Sequence, residues 1–343
     1  MSSLAERLSL SKDLPDEGLR ELLETKDEAL AEELRTLARA KTDEIFGKEV
    51  FLRGLIEFTN ACRNDCYYCG IRKSNHNVAR YTLTRDTIIK CCGDIYEAGV
   101  RTIVFQGGEN PMMAALLTSI VADVRATWPD CAITVSMGEL PIDTYRRLRR
   151  NGADRYLLRH ETADPEHYAR LHPENMNLQS RLNCLKALRK LGFQVGMGMM
   201  VGTPGQATEH LIKDIRLMQE FKPEMIGMGP FIPHKDTPFG DFPAGSAETT
   251  LRLYSILRLM LPDALIPSTT AIATLMPGGR IAGIESGCNV IMPNFTPSVQ
   301  RRAYNLYEGK PLVEPADALN AIKQELAAHG YFTGKSRGDY CKH

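Results

Sequence analysis

The chain has 343 residues, with 42 Lys+Arg against 42 Asp+Glu and a formal net charge of zero. That balance argues against nucleic acid as the main partner, because phosphate binding draws on a basic excess. No apolar run approaches the roughly 20 residues of a membrane-spanning helix. The polar residues 1–18 carry no apolar export core, so the nine cysteines read as thiols or metal ligands in a cytoplasmic protein rather than as a disulfide framework.

Residues 1–48 are rich in Glu, Lys and Arg, with leucines at 19, 22, 23, 30 and 34. They predict an amphipathic helical cap. Strand-like apolar runs then alternate with helical periodicity. Strands are predicted at 50–60, 102–106, 132–137, 155–159, 194–201, 225–232, 265–272 and 289–293. Helices are predicted at 84–98, 113–128, 142–151, 178–191, 209–220 and 247–261; the connection 274–287 is the least clearly helical. Eight β–α units predict an α/β fold, a closed (β/α)8 TIM-type barrel over 49–298 rather than an open sheet. The tail 299–343 contains a helix near 316–329 and is expected to pack on the barrel. Pro- and Gly-containing turns follow the strands, on the barrel face that carries catalysis.

The sharpest chemical signal lies just after the first strand. CRNDCYYC, residues 62–69, sets Cys62, Cys66 and Cys69 at C-x3-C-x2-C spacing. Three thiolates on so short a loop can turn toward one metal centre. Structural zinc takes four ligands, and here only three cysteines are grouped, with His76 as a possible fourth. A three-cysteine loop can instead hold three irons of a 4Fe–4S cluster and leave the fourth iron open to S-adenosylmethionine (SAM). The remaining cysteines, at 91, 92, 131, 184, 288 and 341, are scattered; Cys91, Cys92, Cys131 and Cys184 read as small buried hydrophobes.

This loop, with Tyr68 before its last cysteine, resembles the radical-SAM superfamily. Further segments resemble one family within it, the FeFe-hydrogenase maturases of the HydE type. These are Tyr67–Arg72, the 155–164 run ending in RHETAD, Leu171-His172-Pro173, Arg181–Cys184, Gly227–His234, Thr269-Thr270-Ala271, Pro277–Arg280, Asn289–Asn294 and Arg337-Gly338-Asp339. The resemblance implies one 4Fe–4S cluster on Cys62, Cys66 and Cys69, and SAM as cofactor. Tyr68, Gln106, Gly108 and Glu109 would belong to the SAM site, the last three as the GGE-type edge that meets the SAM amino group. Arg181 would fork its carboxylate, Glu161 would hold its ribose or amino group, and the Gly198–Gly202 strand segment, with Met200, would lie against adenine. Some HydE proteins have three more cysteines near the C-terminus for an auxiliary cluster; here only Cys341 lies in that region, so one cluster is expected. Gly107 stands where some relatives have Ser.

The substrate implied by the resemblance is a cysteine-ligated iron–carbonyl–cyanide complex supplied by a partner tyrosine lyase. The 5′-deoxyadenosyl radical would attack its cysteine sulfur on the way to the hydrogenase H-cluster. Other hydrogenase maturases and a ferredoxin- or flavodoxin-type reductant are the implied partners. Arg155 and Arg159, four apart on a predicted strand, share a face; inward arginines are costly unless paired. They are therefore candidates for an anionic substrate, with an ion pair to Glu139 or Glu161 as the alternative. Thr269, Thr270, Tyr304 and Tyr307 would add hydrogen bonds, while His160, on the opposite face, reads as a packed residue. Two further readings stay open: a radical-SAM mutase or carbon–sulfur bond former with a small organic substrate, and a non-catalytic iron–sulfur or zinc scaffold.

Overall fold

A computed structural model describes residues 2–309 and 314–341. Three helices come first: α1 (Leu4–Ser11), α2 (Asp16–Glu24) and α3 (Glu28–Phe46). Ser3 and Glu6 close a reciprocal capping box on α1, and Asp27 caps α3 by accepting from the Ala29 and Leu30 N–H groups. Such caps satisfy donors that a helix start leaves free. Leu19, Leu22, Leu23 and Leu34 are buried as their spacing predicts.

Strands and helices then alternate. β1 (Phe51–Leu52) and β2 (Gly54–Thr59) are followed by α4 (Arg85–Glu97), β3 (Thr102–Gly107), α5 (Pro111–Thr127), β4 (Ala132–Ser136) and α6 (Ile142–Arg150). Next are β5 (Arg155–Leu157), α7 (Pro165–Leu171), α8 (Leu178–Lys190), β6 (Gln194–Met197), β7 (Met200–Val201) and α9 (Thr208–Phe221). The sequence then runs through β8 (Met225–Ile226), β9 (Gly229–Pro230), α10 (Ala247–Met260), α11 (Thr270–Leu275), α12 (Gly279–Glu285), β10 (Val290–Ile291), α13 (Ser298–Ala303) and α14 (Pro315–Ala328).

All strand pairs are parallel. The order β2-β3-β4-β5-β6-β8 makes six neighbours, and β1 pairs with β10. Single bridges Met225–Leu265, Pro267–Val290 and Leu55–Asn294 complete the ring. The fold is thus the expected TIM-type barrel, with α1, α2 and α3 packed against α9, α10 and α12. Among the described residues no helix is long and apolar enough to cross a membrane.

Several expected strands are shorter than their apolar runs. The run 155–159 is paired only to Leu157. The run 194–201 divides into β6 and β7 because the 159–161 turn takes both polar groups of Gly198: its N–H donates to the His160 side chain at Nδ1 and its carbonyl accepts the Glu161 N–H. The run 265–272 keeps only two bridges, and its second half is helical because Thr269 turns the chain into α11. The short α7 is an addition to the predicted elements; Asp164 caps it, with Pro165 at its first position.

The register decides what faces inward. Leu55 pairs with Val104 and Glu57 with Gln106, while Thr134 lies beside Arg155 and Arg155 beside Gln194. Gly54 and Ile56 face the helices; a Cβ on Gly54 would lie 2.6 Å from Ile95 of α4. By the two-residue period, Glu57, Gln106, Thr134 and Arg155 therefore share the inner face.

Arg155 corrects one expectation. It is fully buried at the base of the barrel, opposite the catalytic face, and pairs with Asp339 at 2.7 Å. Its other acceptors are Gln194 Oε1, Thr102 Oγ1 and the carbonyls of Arg337 and Gly338. Neither Glu139 nor Glu161 is its partner, because the C-terminal tail folds under the barrel and brings its own carboxylate. Arg155 thus closes the base and is not a substrate residue.

This seal has a stability consequence. Burial alone would raise the Asp339 carboxyl, but Arg155 and Arg337 outweigh it and hold it below its ordinary value. Breaking a wholly buried pair costs roughly 3–5 kcal/mol; with Asp339 about a third exposed, Asp339→Asn is expected to cost about 2 kcal/mol, read from the urea midpoint at pH 7. A depressed carboxyl stabilises above its unfolded value, about 3.9, and that contribution fades as pH falls through the folded value. The gap between native and variant should therefore narrow below about pH 4. An equal midpoint at pH 7 would remove the pair from the barrel's stability.

Candidate active site

The cysteine loop leaves β2 at the catalytic mouth, and backbone bonds fix it on every side. Arg63 N–H donates to Glu109 O, Tyr67 N–H to Leu171 O, Cys69 N–H to Cys66 O and Gly70 N–H to Leu306 O. Asp65 accepts from Arg72 Nε at 2.7 Å and from the Ser74 hydroxyl and N–H, and the Arg72 bond leads in holding its carboxyl far below the usual range. Two glycines permit this packing. A Cβ on Gly70 would lie 2.1 Å from Asn305 O, and one on Gly108 would lie 2.6 Å from Ala61 O and 2.8 Å from Cys62 Cβ.

Cys62, Cys66 and Cys69 are free and partly accessible. As bare thiols all three are raised, chiefly by burial, Cys69 to about 12. Such groups ionise when a metal supplies the compensating charge. Met176 Sδ lies 4.0 Å from Cys66 Sγ. Tyr68 meets His172, whose Nδ1 faces the Tyr168 carbonyl at 2.9 Å and so carries the proton; Nε2 is left to accept from the Tyr68 hydroxyl at 3.2 Å. Burial lowers His172 to about 3, in keeping with a neutral ring.

From this loop a belt of charged side chains runs around the mouth. Glu109, 5 % exposed, accepts from Arg63 Nε at 2.7 Å and from the Glu139 N–H at 2.7 Å. The Glu139 carboxylate takes Arg181 Nε at 2.7 Å and the Ser180 hydroxyl at 2.5 Å. Arg181 Nη1 donates to Arg159 O at 2.8 Å, and Arg159 Nη2 to Glu161 Oε2 at 2.9 Å. The structure thus joins Glu109, Arg181, Arg159 and Glu161 through Glu139. The Glu109 carboxylate is already engaged within the belt, which leaves the backbone groups of the 106–109 edge.

Glu161 sits at the turn after β5 with φ +68°, a conformation that costs a residue other than glycine about 1–3 kcal/mol. Opposite it, a Cβ on Gly198 would lie 1.8 Å from Gly227 O, so only glycine lets these strands approach. Met200 packs with Leu171, Phe231, Tyr68 and Phe239 in a small apolar cluster beside the cysteine loop.

Beneath the mouth the barrel interior is polar. Gln106 Nε2 lies 3.4 Å from the Tyr304 hydroxyl. Thr269 Oγ1 meets the Tyr254 hydroxyl at 3.3 Å. Tyr307 is raised to about 12, mainly by burial, with Arg159 and Glu57 close enough to act on it. Thr270, expected beside Thr269, is exposed on the first turn of α11 and is not brought to the others. Arg53 Nε and Nη2, Thr134 Oγ1, Arg159 Nε and Asn294 Nδ2 are buried with no hydrogen-bond partner among the described residues. Arg53, Glu57, Thr134 and Asn294 also face this interior and are absent from the residues picked out by sequence. A signal existed: charged residues at 53 and 57 interrupt an otherwise apolar strand with the two-residue period of one face.

Among the described residues no three His, Cys, Asp or Glu side chains are close enough to hold a single ion, and His76 is exposed. Three soft sulfur donors on one rigid loop suit three corners of a 4Fe–4S cube. Residues 56–218 match the Radical SAM superfamily. The [FeFe] hydrogenase maturase subunit HydE of Thermotoga maritima is 42% identical over 302 residues, 88% of this chain and 86% of that protein. The 3-methylornithine synthase of Methanosarcina barkeri is 28% identical, over 96% of this chain and 93% of its own. The crystal structure of a methylornithine synthase superposes with a TM-score of 0.82 at 26% identity, covering 97% of both chains. The chain is a radical-SAM enzyme and belongs to the HydE family of [FeFe] hydrogenase maturases.

Proposed function

We propose that this enzyme carries one 4Fe–4S cluster on Cys62, Cys66 and Cys69, binds SAM across the barrel mouth, and directs the 5′-deoxyadenosyl radical to the cysteine sulfur of an iron–carbonyl–cyanide complex during H-cluster assembly. The observation that carries the reading is the three-thiol loop tied by the belt to Arg181 and Glu161, in a chain 42% identical to HydE. When bound and reduced, the cluster supplies one electron that breaks a carbon–sulfur bond of SAM.

The protein's own residues orient and exclude. Arg181, 7 % exposed, gives Nε to Glu139 and one Nη1 bond to Arg159 O, and offers its remaining Nη1 and Nη2 donors as the fork for the SAM carboxylate. Glu161 offers its carboxylate to the ribose or amino group. The backbone edge of Gln106–Glu109 faces the same ligand, and Met200 with Tyr68, Leu171, Phe231 and Phe239 keeps water from it. Below, Arg159 with Gln106, Thr269, Tyr304 and Tyr307 presents donors to an anionic complex. Thr270, being exposed, drops from that set. Of the six cysteines outside the loop, four are buried and only Cys91 and Cys92 share an element, α4, where adjacent side chains point about 100° apart; they supply no second cluster. A ferredoxin- or flavodoxin-type protein would deliver the electron, and the other hydrogenase maturases would supply the substrate and take up the product.

The deciding experiment is anaerobic reconstitution with iron and sulfide, followed by dithionite, SAM and the synthetic cysteine-ligated complex. Deoxyadenosine release together with loss of the complex is expected. Release that instead depends on a small amino acid would favour a methylornithine synthase type of reaction, and no release would leave a scaffold.

Two variants test the site residues. Reconstituted protein should hold about four irons per chain. Cys66→Ser should lose most of the cluster absorbance and all cleavage of SAM, whereas Cys184→Ser should keep both. Two to four irons surviving in the triple Cys62/Cys66/Cys69→Ser protein would restore an auxiliary cluster. Arg181→Lys keeps the charge but loses the fork; a charged hydrogen bond is worth roughly 1.5–3 kcal/mol, so SAM affinity should fall about ten-fold to a hundred-fold. An unchanged SAM titration would take Arg181 out of the site.

A further inference from the structure

A buried His–Asp pair lies directly behind Glu161. His160 and Asp214 are both fully buried, with Nε2 and Oδ1 3.1 Å apart. Gly198 N–H donates to His160 Nδ1 at 3.3 Å, so that nitrogen is the acceptor, and the ring proton sits on Nε2 and points at Asp214. Asp214 Oδ1 also accepts from the Ala163 N–H at 2.5 Å. One carboxylate oxygen on α9 therefore grips the chain on both sides of Glu161 and Thr162. Glu161 N–H in turn donates to Gly198 O at 3.0 Å. Gly198 is held by its N–H to His160 and by its carbonyl to Glu161, a two-point clamp between the turn after β5 and the junction of β6 and β7.

The clamp has a specific target. Glu161 is among three described residues other than glycine with positive φ, and its carboxylate direction follows from that backbone. Without the His160 and Ala163 contacts, the turn would rest on the isolated Glu161–Met199 bridge alone, because β5 ends at Leu157. We propose that His160 and Asp214 are positioning residues for SAM: through the Glu161 backbone they set where that carboxylate meets the ligand, and they do so without touching cluster or substrate. This inference rests on the reading that Glu161 contacts SAM.

The test uses reconstituted full-length enzyme and SAM itself as the probe. His160→Phe keeps a planar ring and removes both bonds; Asp214→Ala removes the shared acceptor; Asp214→Asn keeps an acceptor oxygen. His160→Phe and Asp214→Ala should weaken SAM binding about ten-fold, with iron content unchanged. The KM for SAM should rise while kcat at saturating SAM stays within about two-fold. Asp214→Asn should restore most of the affinity. In a Glu161→Ala background, adding His160→Phe should change SAM affinity little, since the path through Glu161 is already cut. Additive losses, or a fall in kcat with SAM affinity unchanged, would overturn the proposal. If Asp214→Ala does not fold, His160→Phe and Asp214→Asn decide alone. If Glu161→Ala itself leaves SAM binding untouched, the SAM-site reading of Glu161 fails; if it weakens binding while His160→Phe does not, only the positioning role fails.

Discussion

The belt Arg63–Glu109–Glu139–Arg181–Arg159–Glu161 is the constraint on which the mouth of this barrel depends. Its carboxylates come from the loops after three strands, and its guanidinium groups from the cysteine loop, the turn after β5 and α8. Each loop alone is a short connection with little apolar surface to fix it. Three ion pairs, Arg63–Glu109, Arg181–Glu139 and Arg159–Glu161, are strung together by two bonds to backbone, Glu139 N–H to Glu109 and Arg181 to Arg159 O, so that removing one charge leaves its partner unpaired. The belt fixes the cysteine loop at one end and Glu161 at the other. Its three carboxylates and three guanidinium groups balance, so its sum carries no net charge that would favour one sign of ligand. Both signs remain within reach, which suits a zwitterionic amino-acid end.

Below the mouth the interior departs from the layered apolar filling of most such barrels. Arg53, Glu57, Gln106, Thr134, Arg155 and Asn294 occupy inward positions on the strands. Buried donors without partners are rare and costly, and those of Arg53, Thr134, Arg159 and Asn294 are found together in one interior. Arg155 marks the boundary of that region. There the tail brings Asp339 and two carbonyls beneath the barrel to Nη2, while Gln194 and Thr102 take Nε and Nη1. Arginines on the inner face thus have different fates: Arg155 is neutralised by the tail, while Arg53, close enough to Arg155 and Asp339 to feel both charges, meets only the Met225 sulfur through Nη1.

Much of this architecture was legible in the chain. Strand and helix periods alternate clearly, and three cysteines in eight residues after the first strand have few other uses. What was not legible depends on contacts distant in sequence. The inward pointing of Arg155 could be read from its strand, but its partner lies 184 residues away, in a polar tail with no periodic signal. His160 alternates away from the lumen and so reads as packing; its pairing with Asp214 spans 54 residues and two elements. The division of the run 194–201 was likewise hidden, because an apolar run cannot show that a neighbouring turn has taken the backbone bonds of Gly198. Thr270 shows the reverse error: a motif match placed it beside Thr269, but one residue into a helix is about 100° of rotation, enough to turn it out to solvent.

A methylornithine synthase shares this fold along 97% of the chain, which bears on where reaction choice is made. The mouth gathers the three-cysteine loop, the backbone edge after β3 and the belt of charged side chains. Those parts are anchored mainly by loops to one another and little by the lumen. The inner strand faces are free of that duty, because their side chains point away from the helices that stabilise the fold. Substitution there changes which guest is satisfied without unseating the helical shell. The donors of Arg53, Thr134, Arg159 and Asn294 that lack partners, with Tyr304 and Tyr307 from the segment after the barrel, belong to that interior and take no part in the helical shell.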